Sequence, residues 1–223
     1  MISIDNLSVE KDSKTILNNI NITFTTGIHF VLGRNGSGKT TLLKVIAGVV
    51  KPSKGNVYVF GKNIHKLPRK EAVKLVGYAW QNPYAGFLEP TVEGEFTLTE
   101  KISKSEVDWS IIRILVPTEY LNRNPFTLSG GEAKRVATAI ALSLNQPVWL
   151  LDEPFDFLDK DGVEAVLKLL EVAKERKKVV VVATSNLAYL HLLEPVSVTV
   201  IDGGKIVKEL NNLPDRWLMC GCT

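Results

Sequence analysis

Apolar residues along this chain change period several times, and each change predicts an element. From Asn19 to Thr25 the run NINITFT puts Ile20, Ile22 and Phe24 on one face at period two, the pattern of a half-buried antiparallel strand. Ile28 to Leu32 (IHFVL) is more continuously apolar, as in a strand covered on both faces. Thr40 to Ala47 then reads as a helix. Short strands are predicted at Asn56 to Phe60, after Pro52 and Gly55, and at Leu75 to Trp80. Gln81 to Leu128 changes character, with Pro83, Pro90, Pro117 and Pro125 punctuating one amphipathic segment from Ser105 to Val116. Alternation then resumes: helix Gly130 to Leu144, strand Pro147 to Leu151, helix Asp161 to Glu175, strand Lys178 to Thr184, helix Leu187 to Leu193, strand Val196 to Ile201. Strands alternating with helices predict an α/β fold with a mostly parallel sheet and helices on both faces. Ligands of such sheets bind at the carboxyl ends of the strands.

Composition narrows this picture. The chain has 223 residues, 45% hydrophobic and 23% charged, which excludes a disordered or fibrous protein and predicts one domain. The 27 Lys plus Arg against 24 Asp plus Glu leave +3, no electrostatic footprint for nucleic acid, so no direct nucleic-acid partner is expected. Thr15 to Gly33 is free of charge, but its Asn and Thr residues alternate with apolar ones, so it predicts a strand and not a membrane span. The opening MISIDNLSVE has no basic n-region and apolar h-region, and a cytoplasmic protein is the expectation. Cys220 and Cys222 lie one residue apart and make neither a disulfide framework nor a complete tetrahedral metal site; they read as tail. Asp5, Asp12, Lys174 and the run from Glu175 to Lys178 read as solvated surface.

Candidate chemistry begins at Gly33-Arg34-Asn35-Gly36-Ser37-Gly38-Lys39-Thr40, which has the P-loop spacing of glycines, lysine and hydroxyl. Glycines let successive backbone N–H groups point inward at phosphate oxygens, and the following helix offers its positive end to the same anion. Lys39 is the expected partner of the β and γ phosphates of ATP, Thr40 offers a hydroxyl to Mg²⁺, and Thr41 completes the phosphate-binding run. A glycine-rich turn with a surface lysine is the bland alternative, and the strand before and helix after argue against it. Val148 to Leu151 then ends in Asp152-Glu153. Asp152 suits a metal role, and Glu153, one residue further out, suits orienting or deprotonating a water. An apolar strand ending in acids is common by itself; paired with a P-loop it is specific.

Leu128-Ser129-Gly130-Gly131-Glu132 precedes an apolar-periodic helix. Ser129 and Glu132 form a capping-box pattern. Two glycines in the first turn cost roughly 1 kcal/mol each in helix propensity. They make sense where a ligand approaches bare backbone at a positive helix end. With this motif the chain resembles the ATP-binding cassette (ABC) ATPases, whose signature is LSGGQ or a close variant. The resemblance covers nearly the whole chain: the P-loop, Gln81 in the place of the Q-loop glutamine, the signature, the Asp152-Glu153 pair, and Leu158-Asp159 in the place of the D-loop. It implies a P-loop NTPase core with an N-terminal antiparallel β subdomain, divided as 1–81 and 147–223 for the core and 82–146 for a helical subdomain. It also implies a second cassette as partner, in a homodimer or heterodimer. Lys39, Thr40, Gln81, Asp152 and Glu153 of one chain then share an ATP with Ser129, Gly130 and Gly131 of the other, and Asp159 is a further expected nucleotide-binding residue.

Two positions depart from the family pattern. After the strand ending at Thr184 the family has a histidine that contacts the γ phosphate; here Ser185 stands in its place, and His191 falls six residues later. No aromatic residue precedes Phe24, so the usual adenine-stacking side chain is missing, with Lys11 near its place; such stacking is worth about 1 to 3 kcal/mol per base. Two readings stand: slowed hydrolysis through Glu153 or pairing with a different cassette, against adequate substitution by a hydrogen bond from Ser185 or Asn186.

Gln81-Asn82-Pro83 with Phe87-Leu88 and Thr91-Val92-Glu93 is similar to the same stretch in cassettes of energy-coupling-factor and cobalt-type importers. That implies an ATPase subunit at the cytoplasmic face of the membrane with an integral membrane partner, contacted through Tyr84, Phe87, Leu88 and Phe96. The same aromatic residues equally suit an insert core. The function class set against it is a soluble ABC ATPase of a non-transport assembly, such as iron-sulfur cluster biogenesis.

Overall fold

The computed structural model describes residues 1–211, apart from the side chain of His191; the Cys220 and Cys222 reading lies outside the described residues. The chain opens with a hairpin of β1 (Ile2–Lys11) and β2 (Lys14–Phe24), followed by β3 (Gly27–Leu32), α1 (Lys39–Ile46), β4 (Lys54–Val59), β5 (Lys62–Asn63), α2 (Arg69–Leu75) and β6 (Val76–Ala79). Then come α3 (Val92–Ser103), α4 (Trp109–Leu115), α5 (Gly130–Leu142), β7 (Val148–Asp152), α6 (Lys160–Glu175), β8 (Val179–Thr184), β9 (Ser197–Asp202) and β10 (Lys205–Asn211). Among the described residues no helix is long and apolar enough to cross a membrane.

Two sheets form. An antiparallel sheet runs β2-β1-β4-β5, and a six-stranded sheet runs β10-β9-β3-β8-β7-β6, parallel throughout except for edge strand β10. The near-continuous apolar runs of the larger sheet resolve into two buried faces at period two. Phe30, Trp149, Leu151, Val180 and Val182 face the layer containing Ile111, Ile112, Ala133, Val136, Leu169 and Leu170. Val31, Val148, Leu150, Val179, Val181 and Ala183 face Leu42, Leu43, Val45 and Ile46 of α1 and the apolar face of the antiparallel sheet. The sheet is therefore covered on both sides, which is why its central strands need no polar alternation.

Several elements lie outside the periodicity reading for identifiable reasons. β1 carries Ile2, Ile4, Leu7 and Val9 inward, but its pairing shifts between Ile4 and Leu7, where Asn6 takes a positive φ of 49°, so strict alternation breaks. α3 buries Val92, Glu95, Phe96 and Ser103, too few apolar positions to register as a helical stripe, and is started instead by Thr91, whose hydroxyl accepts from Gly94 N–H. β10 is a mostly exposed, charged edge strand. The helix expected from Leu187 to Leu193 is only a 3₁₀ turn, Leu190–Leu192, cut off by Glu194 at φ 42° and Pro195. Lys178 is not solvated surface: it is 5% exposed, its ammonium donating to Asn145 and Gln146 carbonyls at 2.9 and 2.7 Å and lying 4.7 Å from the Trp149 ring centroid. Burial pushes it down to about 8.

His29 ties β3 to β9. Its Nε2 lies 2.9 Å from the Thr25 carbonyl, which only accepts, so Nε2 carries a proton; in the neutral ring Nδ1 then accepts from the Ser197 hydroxyl at 2.7 Å. Burial lowers its pKa below 6.5, with the Thr25 carbonyl opposing. The unfolded chain then binds the proton first as pH falls, so the stability this histidine contributes is complete above 6.5 and declines below it. Urea unfolding between about pH 7.5 and 5.5 should show a steeper loss for the wild type than for His29→Gln; parallel losses would refute the assignment.

Candidate active site

Strand order decides which loops meet. β3, β8, β7 and β6 are consecutive neighbours running in the same direction, so the segments after them emerge side by side. Those segments are Gly33 to Thr40, Thr184 to Asn186, Asp152-Glu153, and Trp80 to Asn82. Leu32 pairs with Thr184 and Asp152 with Ala183, which levels the three central strand ends.

The Gly33 to Thr40 loop is built to hold an anion. Gly36 (φ 82°) and Gly38 (φ 109°) lie in the left-handed region that disfavours side chains. A Cβ on Gly33 would lie 2.3 Å from the Ile201 carbonyl oxygen, and one on Gly38 would lie 2.7 Å from Leu17 Cδ2, so the loop packs against β9 and β2. Arg34, Asn35 and Gly36 are exposed at its tip, whereas Ser37, Gly38 and Lys39 are buried; Thr40 and Thr41 are partly buried on α1. Lys39 Nζ donates to the Gly33 and Arg34 carbonyls at 2.7 and 3.3 Å and lies 3.6 Å from Glu153 Oε1. Ser37 Oγ is buried without a hydrogen-bond partner. An orphaned hydroxyl and a glycine-lined curl beside a lysine fit a phosphate group.

Asp152, fully buried at the end of β7, accepts from the Thr40 hydroxyl at 3.1 Å on one oxygen and from the Tyr78 hydroxyl at 3.1 Å on the other. Burial pushes its pKa up, against the pull of these two hydrogen bonds and of the Lys134 charge. Tyr78 is pushed up in turn by burial and by the charge of Asp152. Paired Thr40 and Asp152 oxygens fit a hard cation that takes most of its ligands from water and phosphate, as Mg²⁺ does. Glu153 follows at φ 44°, a left-handed conformation that costs a non-glycine residue about 1 kcal/mol or more. It is held there by Glu153 N–H donating to the Ala183 carbonyl and by its carboxylate accepting from Ser185 N–H at 2.9 and 3.1 Å. Ser185 thus reaches Glu153 through its main chain, a relation residue type alone does not signal. Gln81 is exposed and lines, with Thr40, Asp152 and Gly130, a cavity of about 490 Å³ walled by Tyr78, Trp80, Tyr84 and Phe157.

The signature motif starts α5 with a complete capping box: Ser129 Oγ accepts from Glu132 N–H and the Glu132 carboxylate accepts from Ser129 N–H. Arg123 grips that carboxylate at 2.8 and 3.4 Å and, with the capping bonds, holds Glu132 down to about 2. A Cβ on Gly131 would lie 2.7 Å from the Phe157 carbonyl oxygen, so this glycine is also demanded by packing. Asp159 caps α6, its carboxylate accepting from Gly162 N–H at 2.8 Å. Tyr78, Arg123 and Lys134 are the participants that motif spacing alone does not reveal: Tyr78 and Lys134 act across segments 50 or more residues apart, and Arg123 reaches Glu132 across the turn before α5.

Residues 17–156 match the family model for the ABC transporter. The chain is 38% identical, over 79% of its length and 70% of the relative's, to a Pyrococcus furiosus protein named as an ABC transporter ATP-binding protein. The chain belongs to the ABC transporter family of ATPases. It is also 36% identical to the energy-coupling factor transporter ATP-binding protein EcfA1 of Mycoplasma mobile, over 84% of this chain and 72% of that one. Among solved structures, CbiO1 of Clostridium perfringens, part of the ABC transporter complex CbiONQ, superposes with a TM-score of 0.76 at 26% identity over 95% of this chain and 88% of that one. An ATP-binding cassette solved as a dimer with ADP and phosphate shares the fold at a TM-score of 0.84 and 24% identity, over 96% of this chain and all of the other.

Among the four residues expected to contact a membrane partner, Phe87 and Phe96 are core, 6% and 1% exposed, whereas Tyr84 and Leu88 stay at the surface, 36% and 75% exposed. The Tyr78 hydroxyl is a second donor to Asp152 beside Thr40. Tyr78→Phe should lower stability by about 1.5 to 3 kcal/mol in denaturant unfolding, the usual worth of a hydrogen bond to a charged group; an unchanged midpoint would show that Thr40 alone satisfies Asp152.

Proposed function

We propose that this chain is the ATP-binding and hydrolysing subunit that powers a membrane transporter by closing onto a second cassette when nucleotide is bound. The observation that carries this reading is the convergence of Lys39, the Thr40–Asp152 pair and the Ser185-anchored Glu153 at the ends of neighbouring strands. The P-loop residues Gly33, Arg34, Asn35, Gly36, Ser37, Gly38 and Thr41 line the phosphates, and Lys39 neutralises the β and γ groups once it leaves its carbonyl partners. Thr40, Asp152 and Gln81 hold Mg²⁺, which when bound screens the phosphate charge. Glu153, fixed by Ser185 N–H, would take a proton from a water that attacks the γ phosphorus as the γ P–O bond to the β phosphate breaks and ADP leaves.

Ser129, Gly130, Gly131 and Asp159 serve the ATP of the facing cassette, so the site is complete only in a homodimer or heterodimer. The division into a nucleotide-binding core, 1–81 and 147–223, and a helical subdomain, 82–146, follows the motif order. The likeness to an energy-coupling factor transporter ATP-binding protein and to a member of the transporter complex CbiONQ supports a place at the cytoplasmic face, bound to an integral membrane subunit. Tyr84 and Leu88, the exposed members of the 84–96 stretch, are the proposed contacts.

Steady-state ATPase assays test the site. Glu153→Gln should keep ATP binding, lose at least about 100-fold in kcat, and shift to a dimer on size exclusion in ATP. Full activity in that variant would overturn the role of Glu153. Full wild-type activity in the homodimer would remove any need for a different cassette. Recovery with soluble assembly proteins in place of a polytopic membrane protein would overturn the transport reading.

A further inference from the structure

Lys134 lies on α5, five residues after the signature serine (134 − 129), yet is only 1% exposed. A buried ammonium is expensive unless its donors are all used. Here its three donors have three acceptors, all main-chain carbonyls: Trp80 at 2.9 Å, Gln81 at 3.2 Å and Asp152 at 2.9 Å. Two of these carbonyls belong to residues whose side chains are the proposed Mg²⁺ ligands. The third precedes Gln81 where the chain leaves β6. The carboxylates of Asp152, Asp156 and Glu153 lie close enough to act on it as opposite charges. A Leu or Met in this place would fill the same volume without the desolvation cost, so packing alone does not account for a lysine.

We propose that Lys134 is a positioning residue for ATP hydrolysis, locking the signature helix to the main chain of Gln81 and Asp152. One end of α5 presents Ser129 to Gly131 to the facing cassette's nucleotide, and this tie joins the same helix to the chain's own metal-binding strand ends. The two composite sites of a dimer are thereby joined through one rigid contact in each chain. The inference rests on the reading of Gln81 and Asp152 as Mg²⁺ ligands.

Lys134→Met keeps the stem and removes the donors; Lys134→Arg keeps charge and donors. With the purified full chain, Lys134→Met should lower kcat by about tenfold or more and raise several-fold the Mg²⁺ concentration at which the ATP-induced rise of the unfolding midpoint is half complete, while KM for ATP stays within about threefold. Lys134→Arg should recover most of both losses. A Met variant with normal kcat and Mg²⁺ dependence, or an Arg variant as impaired as the Met one, overturns the inference. Should Lys134→Met not fold, Lys134→Gln against Lys134→Arg is read by the same two quantities. Lys39→Ala separates the failures: activity that survives it sinks the site reading itself, whereas activity lost there but normal in Lys134→Met sinks only the role of Lys134.

Discussion

Parallel pairing of β8 with β3 on one side and with β7 on the other sets the relative position of the P-loop, the Asp152-Glu153 turn and Ser185. Asp152 pairs with Ala183 and Leu32 with Thr184, so the P-loop, the Asp152-Glu153 turn and Ser185 leave the sheet at one level. Both faces of these strands are sealed by apolar side chains, so the first places where backbone and carboxylates meet an open space are the strand ends. Slipping β8 by one residue would exchange its two apolar faces and move Ser185 N–H off the Glu153 carboxylate. The burial that stabilises the sheet and the alignment that builds the site are therefore the same constraint.

Charge inside this frame is matched locally and not by a net field. Asp152, with no exposure, spends one oxygen on Thr40 and the other on Tyr78, Lys39 is shared between loop carbonyls and Glu153, and Lys134 ends on three carbonyls. Buried ionic groups so placed contribute little to stability compared with apolar substitutes, but removing one partner leaves another charge unmatched. In the proposed function these partners are the ones that phosphate and Mg²⁺ would replace, phosphate at Lys39 and the metal at Thr40 and Asp152. Arg123 and Glu132 do the same service at the signature loop, fixing the N-terminus of α5 before any partner arrives.

Where sequence reading fell short, the missing information was long-range. β1 is a slipped strand whose alternation is interrupted by Asn6, α3 is held by a cap and by Phe96 packing more than by an apolar stripe, and β10 gains its partner only at a sheet edge. Gly131 had a ligand-approach rationale, and the fold adds a second one in the carbonyl of Phe157. Lys178 and Lys134 are ordinary charged residues in sequence and buried, fully bonded ones in the fold, because their partners lie 18 or more residues away. Ser185 stands in the histidine's place by sequence, and the fold adds a contact that sequence does not signal, its main-chain N–H on the Glu153 carboxylate.

The sequence by itself determined the α/β alternation, the P-loop, the acidic strand end and the signature, and with them the family. Each is a contiguous run whose meaning rests on local geometry: a glycine that allows a left-handed turn, a hydroxyl that caps a helix, a strand that ends where charge begins. Only the tertiary structure decided that Tyr78 shares Asp152 with Thr40, that Ser185 anchors Glu153, and that Lys134 ties the signature helix to two strand ends. Those contacts join segments through the order and register of a sheet, and that order is set by the burial of whole faces, which no local run of residues encodes.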